Sequence, residues 1–234
     1  MNDGGYLIPS YVTPHIEKCI SFGINVNWSF ESSLLRRQDI PLDAYDINYI
    51  PFVLLRFILG GFYKFLRARL DFSSLLRRMH LFFRFFLFFR GSHRFQQKRI
   101  DLSSIIPILR EIPDNTLLKC DIEGSEYCIL DSVLEYRSRL AILVFEFHDC
   151  IPNNSQLESF ITAISSTHTV VHLHANNFES PSFDGRLNLI ELTICRNDLI
   201  NHISAPPLIL PIPLLDTPTL PNRPDITLAK PHVR

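Results

Sequence analysis

The 234-residue chain is 46% hydrophobic and carries 23 Lys or Arg against 24 Asp or Glu. That apolar content argues against disorder throughout and suffices for one sizeable domain, since about 100 to 200 residues per domain is usual. The near-neutral balance argues against a nucleic-acid partner, which selects for basic chains. Five cysteines are an odd number with no C-x-x-C spacing, and Cys19, Cys120 and Cys195 lie inside apolar runs where a buried thiol fits. That usage indicates a reducing compartment. The opening MNDGGYLIP has no positively charged segment followed by a long apolar core, so no secretory signal and a cytoplasmic location are expected.

In chain order, KCISFGI (18–24) and LDAYDI (42–47) read as strands, separated by helical spacing from Ser29 to Arg37. Residues 51–100 are atypical, holding most of the phenylalanines and many arginines. Alternation then resumes, with helices over 102–111, 125–137 and 155–166 and strands over 117–122, 141–148, 169–174 and 188–195. Each apolar strand of such a series needs helices on both faces, which predicts an α/β layer fold with a parallel sheet. One domain over 1–205 is expected, with a helical insertion at 51–100. The tail, 206–234, holds half of the 16 prolines and is predicted to be extended.

Ligands of open parallel sheets bind outside the carboxyl ends of the strands, and four chemically loaded stretches fall there. In SFGINVNWSFE (21–31), Gly23 ends a strand just before a helix start near Ser29, where unpaired N–H groups face the crevice. The G-x-G-x-x-G of a dinucleotide site is absent, which argues against a nicotinamide cofactor. Asp46 follows at about the 20-residue distance of an acid that bonds ribose hydroxyls, although turn and cap roles are common for such residues. In KCDIEGSEYCIL (119–130), period two would place Asp121 and Glu123 on one face, and Gly124 permits a sharp turn. Ser125 reads as a helix N-cap with Glu126 in the first turn. Asp121, at the end of an apolar strand, needs a partner. In FEFHDC (145–150), Glu146 and His148 share a face, and the histidine suits general-base work near neutrality. HLHANN (172–177) adds His172, His174, Asn176 and Asn177, for which buried histidines with structural partners are the commoner explanation than metal.

Taken together and in order, DGGYLIP (3–9), SFGINVNWSFE, KCDIEGSEYCIL, FEFH, HLHANN, IELTI and LLDTPTLPNRPDITL (214–228) resemble the FkbM-like methyltransferases over nearly the whole chain. The resemblance implies a Rossmann-like class I methyltransferase sheet, S-adenosylmethionine as cofactor, and methylation of a hydroxyl on a small molecule or glycan. It further implies that Gly23 and Asn25 approach the methionine part of the cofactor and Asp46 its ribose. Asp121 and Glu123 would border the reaction crevice, with Glu146 and His148 nearby. His148 is then the first choice of base and Asp121 the second. Mg²⁺, if used, would suit Asp121 and Glu146, but no spacing here assigns a metal site. Proteins of this kind often carry further residues ahead of DGGYLIP, so a longer N-terminus is expected.

Residues 51–90 depart from the family pattern, with eight Lys or Arg and one acid in the interval where the third strand normally falls. No charge-free run reaches about 18 residues, which disfavours a spanning helix. The simpler reading packs the phenylalanines on the sheet with the arginines outward. The alternative is an arginine-rich amphipathic helix on an anionic membrane surface, and with it a catalytically silent module docked there.

Overall fold

The computed structural model describes residues 6–67, 69–200, 209–212 and 215–229. Seven segments form the main sheet: β1 (Lys18–Phe22), β2 (Leu42–Asp46), β3 (His93–Gln97), β4 (Thr116–Cys120), β5 (Leu140–Phe147), β6 (His168–Ala175) and β7 (Ile190–Arg196). They make one sheet of order β3-β2-β1-β4-β5-β7-β6. Every pairing is parallel except those of β7, which runs antiparallel to both β5 and β6. β7 is thus the one reversed strand in an otherwise parallel sheet. No α-helix separates β6 from β7, and a parallel partner would require a crossover.

Period-two alternation sends successive side chains of the central strands to two different cores. Ile20, Leu118 and Phe145 meet Ile105 and Leu109 of α4 (Leu102–Arg110), Val133 of α5 (Leu130–Glu135) and Phe160 of α6 (Asn154–Ile164). On the opposite face Cys19, Leu117 and Val144 share a core with Leu34 of α1 (Ser29–Leu35), Leu54 of α2 (Ile50–Leu66) and Phe85 of α3 (Phe72–Phe88). Helices thus cover both faces, and the expected Rossmann-like class holds. Cys19, Cys120 and Cys195 are buried, as their apolar settings predict.

The insertion is a helical hairpin, α2 followed by α3, and it ends before β3, which lies inside the interval 51–100 that the sequence reading treated as wholly helical. HRFQQ is an edge strand with one apolar residue and an exposed face, so it carries no burial pattern. The phenylalanines do not, as expected, pack on the sheet along the whole hairpin. That holds only at its root, where Phe85 and Phe89 meet Phe95 of β3 and the single Trp28. Phe52, Phe57, Phe62, Phe72, Phe83 and Phe86 are exposed. The described part of the tail holds no helix; Asp216 N donates to Ile212 O and Arg223 N to Leu220 O, so it turns twice, and a two-residue ladder joins β8 (Ile209–Leu210) and β9 (Leu228–Ala229).

Phe160 meets both Phe145 and Phe147, at centroid separations of 5.8 and 6.3 Å, and is 2% exposed. Phe160→Ala should cost about 3–5 kcal/mol through the cavity it leaves, measured as a lower urea midpoint at unchanged slope. A loss below about 1 kcal/mol would show that α6 does not close this core.

Candidate active site at the strand ends

The strand order reverses beside β1, and there the loops after β1 and β4 meet. Gly23 donates its N–H to Tyr45 O at 2.9 Å, and Asp121 N donates to Phe22 O at 3.1 Å. At Gly23, with φ +75°, a Cβ would lie 1.6 Å from Asp121 O, so only glycine allows this approach. Asn25, also in the left-handed region at φ 47°, donates its N–H to Asp46 Oδ2 at 2.8 Å. The other oxygen, Oδ1, accepts Asn48 N at 2.7 Å. Gly23, Asn25, Asp46 and Asp121 therefore share one rim, joined largely through the backbone.

β4 stops at Cys120, so Asp121 and Glu123 do not continue it on one face as period two suggested. Glu123 adopts φ 55° with its side chain 80% exposed, while the Asp121 carboxylate turns inward at 16%. Nor does Ser125 cap the next helix, since its side chain makes no capping bond. The buried Glu126 organises the turn instead: its Oε1 accepts Ile122 N at 3.0 Å, Gly124 N at 3.2 Å and His148 Nδ1 at 3.1 Å. A carboxylate there lets the chain turn through the left-handed Glu123 and Gly124 while the amides of Ile122 and Gly124 stay paired.

One atom each of Asp121, Glu146 and His148 lies within 4.8 Å of the others. Tyr6 closes this cluster, its hydroxyl donating to Glu146 Oε2 at 3.0 Å and reaching Asp121 Oδ2 at 3.4 Å. Burial pulls the His148 pKa down, but the hydrogen bond and charge of Glu126, with Glu146 and Asp121, outweigh it and raise the imidazole to about 9. Glu146 is pushed up by burial first, then by the charges of Asp121 and Glu191. His148 Nε2 also faces Glu123 Oε2 at 3.5 Å. A carboxylate thus stands at each nitrogen of the ring, Glu126 at Nδ1 and Glu123 at Nε2, and together they favour its protonated form.

Behind the cluster the polar side chains form two rows across one face of the sheet. Cross-strand register aligns Ser21, Lys119, Val144, Thr193 and His172 in one row, and Glu146, Glu191 and His174 in the next toward the rim. Lys119 is 4% exposed, with its ammonium 3.5 Å from Asp121 Oδ2, 3.9 Å from Glu31 Oε1 and 3.2 Å from Gly23 O. Glu31, fully buried on α1, also accepts from Ser21 Oγ at 2.5 Å. Glu146 and Glu191 oppose each other directly, a repulsive pairing. Asn176 relieves it by donating to both, at 2.7 and 3.1 Å. Beside these rows lies a cavity of about 340 Å³ whose walls include Tyr6, Ile8, Ser29, Phe30, Lys119 and Glu191.

HLHANN is the anchor of the tail. His172 Nε2 lies 2.9 Å from Asp216 Oδ1 without hydrogen-bond alignment. His174 stands between Glu191 Oε2 and Asp225 Oδ1, each at 3.1 Å. Asn177 donates to Leu220 O and Arg223 O and accepts Leu220 N at 2.8 Å. Among residues absent from the sequence-based site, Tyr6, Lys119, Glu31 and Glu191 stand out. Lys119 and Glu191 could have been flagged, since a charge amid TLLKC or IELTIC violates the apolar run around it.

No family model matches the chain, and no curated protein matches it. Similar solved structures include human methyltransferase-like protein 13 in complex with S-adenosylhomocysteine, at 11% identity over 84% of this chain and 78% of that one, with a TM-score of 0.45. A putative RNA methyltransferase from Pyrococcus horikoshii shows 8% identity over 80% and 79%, TM-score 0.44. An rRNA methylase from Streptococcus thermophilus shows 9% over 80% and 92%, TM-score 0.42. Likeness at this level assigns neither reaction nor substrate. The order and directions of the strands are those of a Rossmann-like sheet.

The His174 clamp gives a pH signature. Burial depresses its pKa, but Glu191 and Asp225 outweigh that and raise it from 6.5 to about 9. A folded-state pKa above the unfolded one stabilises fully below the unfolded value, and the contribution is lost as pH rises through the folded one. Urea midpoints should therefore fall between about pH 6.5 and about pH 9, and Asp225→Asn should flatten that fall. Equal slopes in the two proteins would dissociate Asp225 from His174.

Proposed function

We propose that this chain is an S-adenosylmethionine-dependent O-methyltransferase of the FkbM-like kind, acting on a hydroxyl of a small molecule or glycan. The observation that carries the reading is the convergence of Gly23, Asp46 and Asp121 on one rim where the strand order reverses. The residues present fit such a cofactor. Gly23 lets the loop after β4 close against the end of β1, where a Cβ would lie 1.6 Å from Asp121 O. Each Asp46 oxygen accepts one backbone N–H, and a carboxylate oxygen has a second lone pair for a ribose hydroxyl. The exposed Glu123 stands on the loop after β4, beside His148.

When bound, that cofactor supplies a methyl group on a sulfonium, already activated for transfer. What remains for the protein is to align an acceptor oxygen and remove its proton. The cavity suits a small acceptor in scale, and it shares Tyr6 and Lys119 with the acid cluster. Of the two bases the sequence suggests, His148 holds its proton up to about pH 9. Asp121, partly exposed, takes the acceptor's proton, and Glu146 and Tyr6 behind it orient its carboxylate and share the charge. His148, as a cation, lowers the cost of crowding Asp121, Glu123 and Glu146 together.

Calorimetric titration with S-adenosylmethionine should show binding by the intact chain, and a folded sample that binds none overturns the reading. Asp46→Ala should weaken that binding by about tenfold or more, the worth of a charged hydrogen bond. Asp121→Asn should spare binding and slow methyl transfer about a hundredfold or more. The wild-type rate should already be high at neutral pH. A rate that climbs only as the pH passes about 9 would transfer the base to His148.

A further inference from the structure

The α2–α3 hairpin supplies none of the rim side chains named above, and its chemistry is unlike that of the rest of the molecule. Its root belongs to the core through Ile50, Leu54 and Phe85, but no described residue from 57 to 80 belongs to either core cluster. The distal half is held by the pairing of the two helices. Gly61 brings them close, for a Cβ there would meet Arg78 Cδ at 2.7 Å. Arg78 stacks on Phe57 at 3.6 Å and donates to Phe57 O at 2.8 Å. Outward stand Leu59, Phe62, Leu66, Phe72, Phe83 and Leu87, each at least half exposed. An apolar surface of this extent is rarely left to water.

Charge selects what covers it. Residues 51–90 carry eight Lys or Arg and the single acid Asp71, in a chain whose totals are 23 and 24. Asp71 is consumed as the N-cap of α3, accepting from Ser74 N. A second copy docked hairpin to hairpin would bring like charges together. A nucleic acid would satisfy the arginines but offer nothing to leucines and methionine. The boundary between phosphate headgroups and acyl chains presents anion and hydrocarbon side by side, which is what a hairpin carrying both arginines and exposed phenylalanines requires. Each helix has 17 residues and is about 25 Å long. No helix among the described residues is long and apolar enough to cross a membrane.

We propose that the α2–α3 hairpin is a docking element for an anionic lipid bilayer: its distal phenylalanines and leucines enter the headgroup boundary and its arginines pair with lipid phosphates. α2 begins four residues after Asp46, so the hairpin is rooted at the rim of the proposed site. The docking does not depend on the methyltransferase reading.

The test uses the full chain and vesicles of phosphatidylcholine with or without phosphatidylserine, read by co-sedimentation. Wild-type protein should bind the phosphatidylserine vesicles about tenfold or more tightly than the neutral ones and should be released by salt. Reversing Arg67, Arg77 and Arg84 to Glu should abolish that preference. Phe62→Asp with Phe83→Asp should abolish binding to both vesicles. Trp28 emission reports whether each variant keeps the hairpin root packed, and if the phenylalanine variant loses it, the arginine variant and the salt dependence decide. Indifference of the wild type to phosphatidylserine overturns the proposal. So does a vesicle-silent dimer that Phe62→Asp disperses, which would make the hairpin a contact between copies. Retention of an RNA oligonucleotide without vesicle binding overturns it in favour of nucleic acid.

Discussion

Lys119 is a cation in the middle of an apolar strand with almost no access to water, and its need for counter-charge organises the polar half of the molecule. Burial of an unpaired ammonium is costly enough that it survives only when surrounded by acceptors. Three converge on it from different elements: Glu31 from α1, Asp121 from the loop after β4 and the carbonyl of Gly23 after β1. The same contacts that satisfy the lysine therefore tie the first helix to the two loops that form the rim.

From that point the charges alternate outward in a way each neighbour depends on. Glu146 and Glu191 are opposed across β5 and β7, an arrangement that would repel were both simply ionised in isolation. Asn176 donates to each, Tyr6 donates to Glu146, and His174 adds a positive ring against Glu191. His174 in turn holds Asp225 of the tail, and Thr193 Oγ1 donates to Leu7 O of the N-terminal segment. The two ends of the described chain thus close over the polar face, while the opposite face is sealed by α4, α5 and α6 with apolar side chains. Chemistry is confined to one side of the sheet because period two keeps Ser21, Lys119, Glu146 and Glu191 there together.

Backbone geometry sets the other constraint. Among the described residues four non-glycines occupy the left-handed region, and Asn25, Glu123 and Asp149 among them lie in loops after β1, β4 and β5. Such conformations persist where surrounding bonds over-determine them. Here Asp46 fixes the loop of Asn25 through its amide, and Glu126 fixes the loop of Glu123 through the amides on either side. The acids that hold these loops are buried, and those they present to the crevice are more exposed. A single stretch, KCDIEGSE, supplies both kinds.

Much of this organisation was legible beforehand. Local alternation identifies β1, β2, β4, β5, β6 and β7 and the helices between them, and the strand ends bearing Gly23, Asp46, Asp121, Glu146 and His148 follow directly. The polar edge strand β3 escaped because HRFQQ buries no face, and the direction of β7 escaped because alternation is the same read either way. By itself the sequence determined which residues arrive at the rim, since that depends only on where short apolar runs stop. Only the tertiary structure decided their partners: Lys119 with Glu31, His174 with Asp225, Tyr6 with Glu146. Those pairs lie far apart along the chain, and their meeting depends on strand order and register, which no local pattern encodes.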